Sequence, residues 1–86
     1  MHNPEFKGRA ILLISGSTSS TLTKTFLPAL EEYRIKINDH LEILMAGRGI
    51  LAIDFGCDPA HLDSIENDIR AIAKPLHLDI AIEELN

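Results

Sequence analysis

The chain has 86 residues, 45% of them hydrophobic and 24% charged, which allows one domain with a single modest core and no large catalytic cleft. Its formal net charge of −5 and its scattered Lys and Arg argue against a nucleic-acid surface, which needs clustered cations. The single cysteine, Cys57, excludes an internal disulfide and a cysteine-rich zinc site, and it reads as a small buried apolar residue.

The chain opens on a polar lead-in, Met1–Gly8, with no signal-peptide core. No apolar run approaches the ~18 residues of a membrane span, so a cytoplasmic protein with no membrane partner is expected. Arg9–Ser15 is a continuous aliphatic run between Gly8 and Gly16, the pattern of a strand buried on both faces. A loop of Ser and Thr follows from Ser17 to Thr21. Leu22, Phe26, Ala29, Leu30 and Tyr33 then recur at helical spacing. Pro28 sits awkwardly in that helix, since an interior proline costs about 3 kcal/mol. Either the helix starts late, with Thr25 as N-cap and Pro28 in the first turn, or it is kinked.

Ile35 and Ile37 lead into Leu41, Ile43 and Met45, which alternate with His40 and Glu42 as in a half-buried strand. Ala46-Gly47-Arg48-Gly49 is a tight turn, and Leu51, Ile53 and Phe55 alternate along the next strand, Ile50–Cys57. Asp58-Pro59 is a helix start, with Asp as N-cap and Pro at the first helical position. Leu62, Ile65, Ile69, Ile72 and Leu76 form one apolar stripe that Pro75 terminates. Leu78, Ile80 and Ile82 alternate with polar or small residues in a last strand.

The order βαββαβ predicts an α+β, ferredoxin-like domain: a four-stranded antiparallel sheet with both helices on one face. Nothing in these residues covers the other face. Ile11, Leu13, Leu44 and Ile50 fall out of phase with their strands' other apolar positions, so some of them point to the open face or an edge. Self-association or docking onto another domain is the expected result.

The loop after the first strand fails as a phosphate grip. A P-loop needs GxxxxGK[ST], and counting from Gly16 the glycine and lysine positions hold Thr21 and Leu22. The arginine of acylphosphatases, the paired cysteines of ferredoxin-like metal carriers and the strand aromatics of RNA-binding versions are all missing. No Asp-x-Asp occurs, so the DxDxT nucleophile of haloacid-dehalogenase phosphatases is absent too. His2, His40, His61 and His77 lie in four separate segments without metal-ligand spacing. No catalytic constellation and no cofactor site emerge. Binding is the surviving option.

From about Ala10 to Glu84 the chain resembles an ACT domain, the small βαββαβ regulatory module of amino-acid metabolism. The landmarks are ILLISG, LTKTFLPALEEYRIKI, EILMAGRGILAIDF and LHLDIAIEEL. They are most similar to the N-terminal ACT domain of bacterial phosphoserine phosphatases of the actinobacterial type. That resemblance implies one regulatory domain over residues 1–86, without catalysis of its own, in an enzyme of L-serine biosynthesis whose Mg²⁺-dependent phosphatase domain lies outside these residues. It also implies homodimers or docking onto adjacent ACT or catalytic domains, with L-serine or another amino acid as ligand. A stand-alone amino-acid-binding regulator and a purely structural dimerisation module are the alternatives.

Such domains usually carry Asp-x-Pro-Gly in the first loop, and here those positions are Thr18, Ser19, Ser20 and Thr21. Lys36 stands where asparagine is common at the start of the second strand, with Asn38 two residues on. Glu42 replaces a common glutamine. The ligand site implied by the resemblance, Thr18–Thr21 with Lys36 and Asn38, is therefore degenerate, and weak or absent serine binding is expected.

Overall fold

A computed structural model describes residues 7–18 and 20–85. The expected lead-in falls largely on residues 1–6, outside the described residues. Four strands and two helices follow in chain order: β1 (Gly8–Ser17), α1 (Thr23–Glu31), β2 (Lys36–Met45), β3 (Arg48–Cys57), α2 (Leu62–Ala73) and β4 (Asp79–Leu85). The strands form one antiparallel sheet in the order β2-β3-β1-β4, as the βαββαβ pattern predicts.

The core lies between this sheet and the two helices. Leu12, Ile14, Leu51, Ile53 and Phe55 meet Phe26 and Leu30 of α1 and Ile65 and Ile69 of α2, all essentially without solvent exposure. Each such side chain contributes on the order of 1.5–3 kcal/mol by leaving water. β1 does not have two buried faces. Its residues alternate, with Leu12 and Ile14 buried and Leu13 44% exposed, because no layer covers the second face.

β2 departs further from the expected alternation. Ile37 pairs with Phe55 and Asp39 pairs with Asp54, so one extra residue, Asn38, enters β2 as a bulge. A one-residue slip moves every later side chain to the opposite face. Ile37 therefore faces the helices, while Leu41, Ile43 and Met45 face the open side, 60%, 43% and 72% exposed. His40, Glu42 and Leu44 lie on the helix side instead.

The tight turn is only Ala46-Gly47, both at positive φ (54° and 74°), as a two-residue type I′ hairpin requires. Arg48 and Gly49 already belong to β3. At the next corner Asp58 caps as expected, its carboxylate accepting from the Ala60 amide at 3.0 Å, and Pro59–His61 forms a 3₁₀ turn before α2. Ile65 and Ile69 are buried and Ile72 half-buried, but Leu76 is 48% exposed. The helix ends at Ala73, and the 3₁₀ turn Lys74–Leu76 around Pro75 rotates Leu76 off the stripe.

Ile69→Ala is expected to cost about 2–5 kcal/mol, read as a lower urea midpoint with an unchanged slope. Ala46→Gly should do the reverse and stabilise by about 1 kcal/mol, because it removes a β-carbon from a left-handed position. An unchanged melting temperature for Ala46→Gly would show that the turn is relaxed in another geometry.

Candidate functional site

The hydroxyl loop sits above a floor of two glycines. Gly16 of β1 and Gly49 of β3 are register partners at one end of the sheet. A β-carbon on Gly49 would lie 2.7 Å from Thr18 Cγ2 and 3.1 Å from Leu44 Cδ2. On Gly16 it would lie 2.7 Å from Leu78 Cδ2. The chain's own side chains thus fill the space that the glycines leave. A hollow of about 140 Å³ remains beside the loop, with Ser17, Thr18, Ser20 and Thr25 on one side and Leu76 and Leu78 on the other.

Thr18 holds the loop together. Its amide donates to Gly47 O at 2.9 Å, and its hydroxyl accepts from the Ser20 amide at 3.2 Å and donates to Ser20 O at 3.0 Å. Ser20 and Thr21 are exposed, and Ser19 lies outside the described residues. Lys36 and Asn38 are elsewhere. Lys36 pairs with Gly56, which pairs with Arg9, whereas the loop leaves the sheet after Ser17. Eight residues of strand at about 3.4 Å each separate the two ends, roughly 27 Å. One copy of the chain brings Thr18 and Ser20 together but leaves Lys36 and Asn38 apart from them. Asn38 instead donates to Asp54 Oδ1 at 3.3 Å, beside the two bonds from Arg9 to the same carboxylate at 3.1 and 2.7 Å. The hydrogen bond from Arg9 holds the Asp54 carboxyl below its usual range, with burial opposing and Asn38 assisting.

The residue that organises the loop is Glu42. α1 begins at Thr23, earlier than a Thr25 cap would place it, and its N-cap residue, Leu22, supplies no side-chain bond. Pro28 therefore lies past the first turn, exposed to solvent. The orphan amides at the start are met from across the fold. The Glu42 carboxylate accepts from the Leu22 amide, from the Thr23 amide at 3.3 Å and from the Thr23 hydroxyl at 2.5 Å. An anion at a helix N-terminus also complements the macrodipole. Burial would raise the Glu42 carboxyl, but these hydrogen bonds and nearby His40 outweigh it and hold the group below its usual range. Sequence alternation assigned Glu42 to solvent, and only the bulge at Asn38 brings it under the helix.

Among the described residues no group of three His, Cys, Asp or Glu is placed to hold a metal, and no helix is long and apolar enough to cross a membrane. Cys57 is buried, which pushes its thiol up, as expected of a packing residue.

No family model matches the sequence, and no curated protein matches it significantly. Solved structures do share its fold. The ACT domain protein from Streptococcus pneumoniae matches with a TM-score of 0.74 and 17% identity, over 90% of this chain and 89% of that one. The ACT domain from GTP pyrophosphokinase of Chlorobium tepidum matches at 0.66 and 13%, over 94% and 99%. Formyltetrahydrofolate deformylase from Burkholderia mallei matches at 0.79 and 14%, over 88% of this chain but only 28% of that protein. The chain therefore has the ACT-like variant of the ferredoxin-like fold, and it spans between a small part and nearly all of these neighbours.

Glu42→Ala is expected to cost about 1–2 kcal/mol at pH 7, the usual range for losing a cap. A lowered folded-state pKa stabilises above the unfolded value and stops doing so as pH falls through the folded value. The gap in unfolding free energy between the parent and Glu42→Ala should accordingly shrink toward pH 3. A gap independent of pH would mean that the lost packing, and not the charge, carries the effect.

Proposed function

We propose that this chain is a regulatory ACT module without catalysis of its own, which works by assembling with a second copy or with a neighbouring ACT domain. The observation that carries this reading is the open sheet face. Leu13, Leu41, Ile43, Met45 and Ile50 crowd one surface at 43–72% exposure, framed by the Arg9–Asp54 pair and by Arg48, which donates to Ser17 at 3.3 Å. A patch of this kind marks an interaction site more often than bare surface.

The finer reading is the N-terminal ACT domain of a phosphoserine phosphatase of L-serine biosynthesis in the cytoplasm. Its support is the sequence resemblance of the strand and helix segments. In this reading Mg²⁺ belongs to the phosphatase domain and this module holds no cofactor. Serine feedback through the loop is weak, because Thr18 and Thr21 replace the acidic residue and the glycine of the usual turn, and Glu42 occupies the amides of Leu22 and Thr23. A site that used both the loop and Lys36 or Asn38 would have to draw them from two copies. The stand-alone regulator and the structural dimerisation module share the same surface and differ in what lies beyond it.

Sedimentation velocity on the chain should show reversible dimers at tens of micromolar, and Leu13→Glu, in the middle of the open face, should give a folded monomer. L-Serine should bind more weakly than about 1 mM by calorimetry. Joint replacement Thr18→Asp and Thr21→Gly should recover measurable affinity. Micromolar serine binding by the parent chain would show the hydroxyl loop to be a working site. A parent chain that stays monomeric at high concentration would remove the self-assembly reading.

A further inference from the structure

β4 is the last strand of the sheet, and its outer edge presents backbone N–H and C=O groups that no described strand takes up. Its two rows of side chains differ in character. On the open face Asp79 and Glu83 flank Ala81, about 14 Å apart along the strand, and all three are exposed. On the helix side Ile80 and Ile82 pack against the core but are only half-buried. Beside Ile80, where α2 ends and β4 begins, a cleft of about 520 Å³ opens over Ala73 and Leu78. Its volume lies within the range of sites that bury small organic groups.

Charge separates the two rows further. Asp79 pairs with Ser15 and Glu83 with Ile11, so both carboxylates project from the open face, away from the cleft. Neither forms an ion pair among the described residues. Like charges on a strand edge oppose pairing with a second β4, but they favour a strand that brings cations. The chain's own cations nearby do not meet them. Arg70 and Lys74 line the cleft on the helix side, where they complement the C-terminal end of α2. Arg70 also donates to Glu66 through bonds of 3.0 and 2.7 Å. The edge therefore selects cations beside Asp79 and Glu83 and uncharged apolar groups beside Ile80 and Ile82.

We propose that the outer edge of β4 takes up an extended cationic segment of a partner protein as a fifth strand. The segment carries two Lys or Arg residues four positions apart, with apolar residues at the intervening positions that face α2. Its backbone continues the ladder, its cations lie beside Asp79 and Glu83, and one apolar side chain enters the cleft over Leu78 and Ile80. Main-chain bonds supply the affinity of such an addition, and alternate side chains supply its selectivity. A cation one residue out of phase would project toward Arg70 and Lys74 and be repelled. This partner is not the second copy that the open face takes, so the proposal stands independently of that assembly.

The probe is the peptide Ser-Lys-Val-Thr-Val-Lys-Ser, capped at both ends, whose pattern reads the same in either strand direction. Titrated into the nitrogen-15-labelled full chain, it should give saturable shifts of the Leu78–Leu85 amides at roughly 0.1–1 mM. Near saturation, amide exchange along β4 should slow about tenfold. The double variant Asp79→Asn, Glu83→Gln should bind about fivefold more weakly or worse, through loss of two cross-strand charge pairs. Both side chains are exposed, and the melting temperature checks that the variant folds. The peptide Ser-Val-Lys-Thr-Lys-Val-Ser has the same composition with the wrong spacing and should lose about as much. The monomeric variant Leu13→Glu should bind the probe at least as tightly as the parent, which separates this edge from self-assembly. The proposal is overturned if no saturable shift appears at Leu78–Leu85 below about 5 mM, or if the double variant binds as the parent does. Equal binding of the two peptides would overturn it as well, since it would show general attraction of cations to an acidic chain. So would loss of binding in Leu13→Glu, which would place the peptide on the sheet face.

Discussion

One extra residue in β2 fixes most of what this molecule can do. Asn38 adds a step between Ile37 and Asp39, and every side chain after it changes face. Without the bulge, Leu41, Ile43 and Met45 would deepen the core under α1. Glu42 would then point to solvent, and the start of α1 would lose its cap. With the bulge, the same strand supplies both an apolar outer surface and a carboxylate beneath the helix. The surface and the cap share one cause. The position is fixed by local chemistry, since the Asn38 amide reaches Asp54 and the Asp54 carboxylate is held in turn by Arg9.

The same carboxylate explains why the loop from Ser17 to Leu22 can be rich in hydroxyls without being a phosphate or nucleophile loop. Amides at the start of a helix are orphan donors and attract anions. Here the anion is already present as Glu42, and Thr18 closes its own turn through Ser20 and Gly47. An incoming ligand would have to displace an internal carboxylate and enter over glycines whose space is taken by Leu44, Leu78 and Thr18. Thr18 and the amides of Leu22 and Thr23 find their partners within the chain, which agrees with a module whose main work lies on its sheet face.

Much of the fold was legible because its elements obey simple periods. β3 and β4 alternate, α2 carries a stripe, and Asp58-Pro59 opens its helical segment as the residue types require. Ile53 and Ile69 were readable as core from period alone, and both are buried. The misreadings occur where a long-range contact overrides a local signal. Thr25 looks like a cap, but no local signal reveals a glutamate nineteen residues further on that reaches Thr23. The aliphatic run of β1 looks doubly buried, because sequence records hydrophobicity and not the layer that must cover it. Leu76 keeps the helical spacing, yet Pro75 tightens the backbone into a 3₁₀ turn and carries it into solvent. The place of the loop between β1 and α1 was legible in the sequence. That Lys36 and Asn38 lie at the far end of the sheet follows from strand register, which a bulge conceals.

Where the module associates then follows from how its edges are managed. An open sheet offers three places for a partner: two edge strands and the uncovered face. β4 closes one edge with Asp79, Glu83 and Glu84, all exposed, so a second β4 beside it would face like charges. β2 closes the other edge with a bulge and with Lys36, Asp39 and His40, also exposed, which break the regular ladder that edge pairing needs. The face has no such defence. Its middle is Leu13, Ile43, Ile50 and Ala52, and its charges lie at the rim, where Arg9 and Asp54 pair within the chain. An 86-residue domain also has little stability to spare, so a partner that covers this face stabilises the folded state through linkage. Assembly and folding are therefore coupled through one surface, and a change in what covers that surface reaches the core through β1 and β3, which carry both faces.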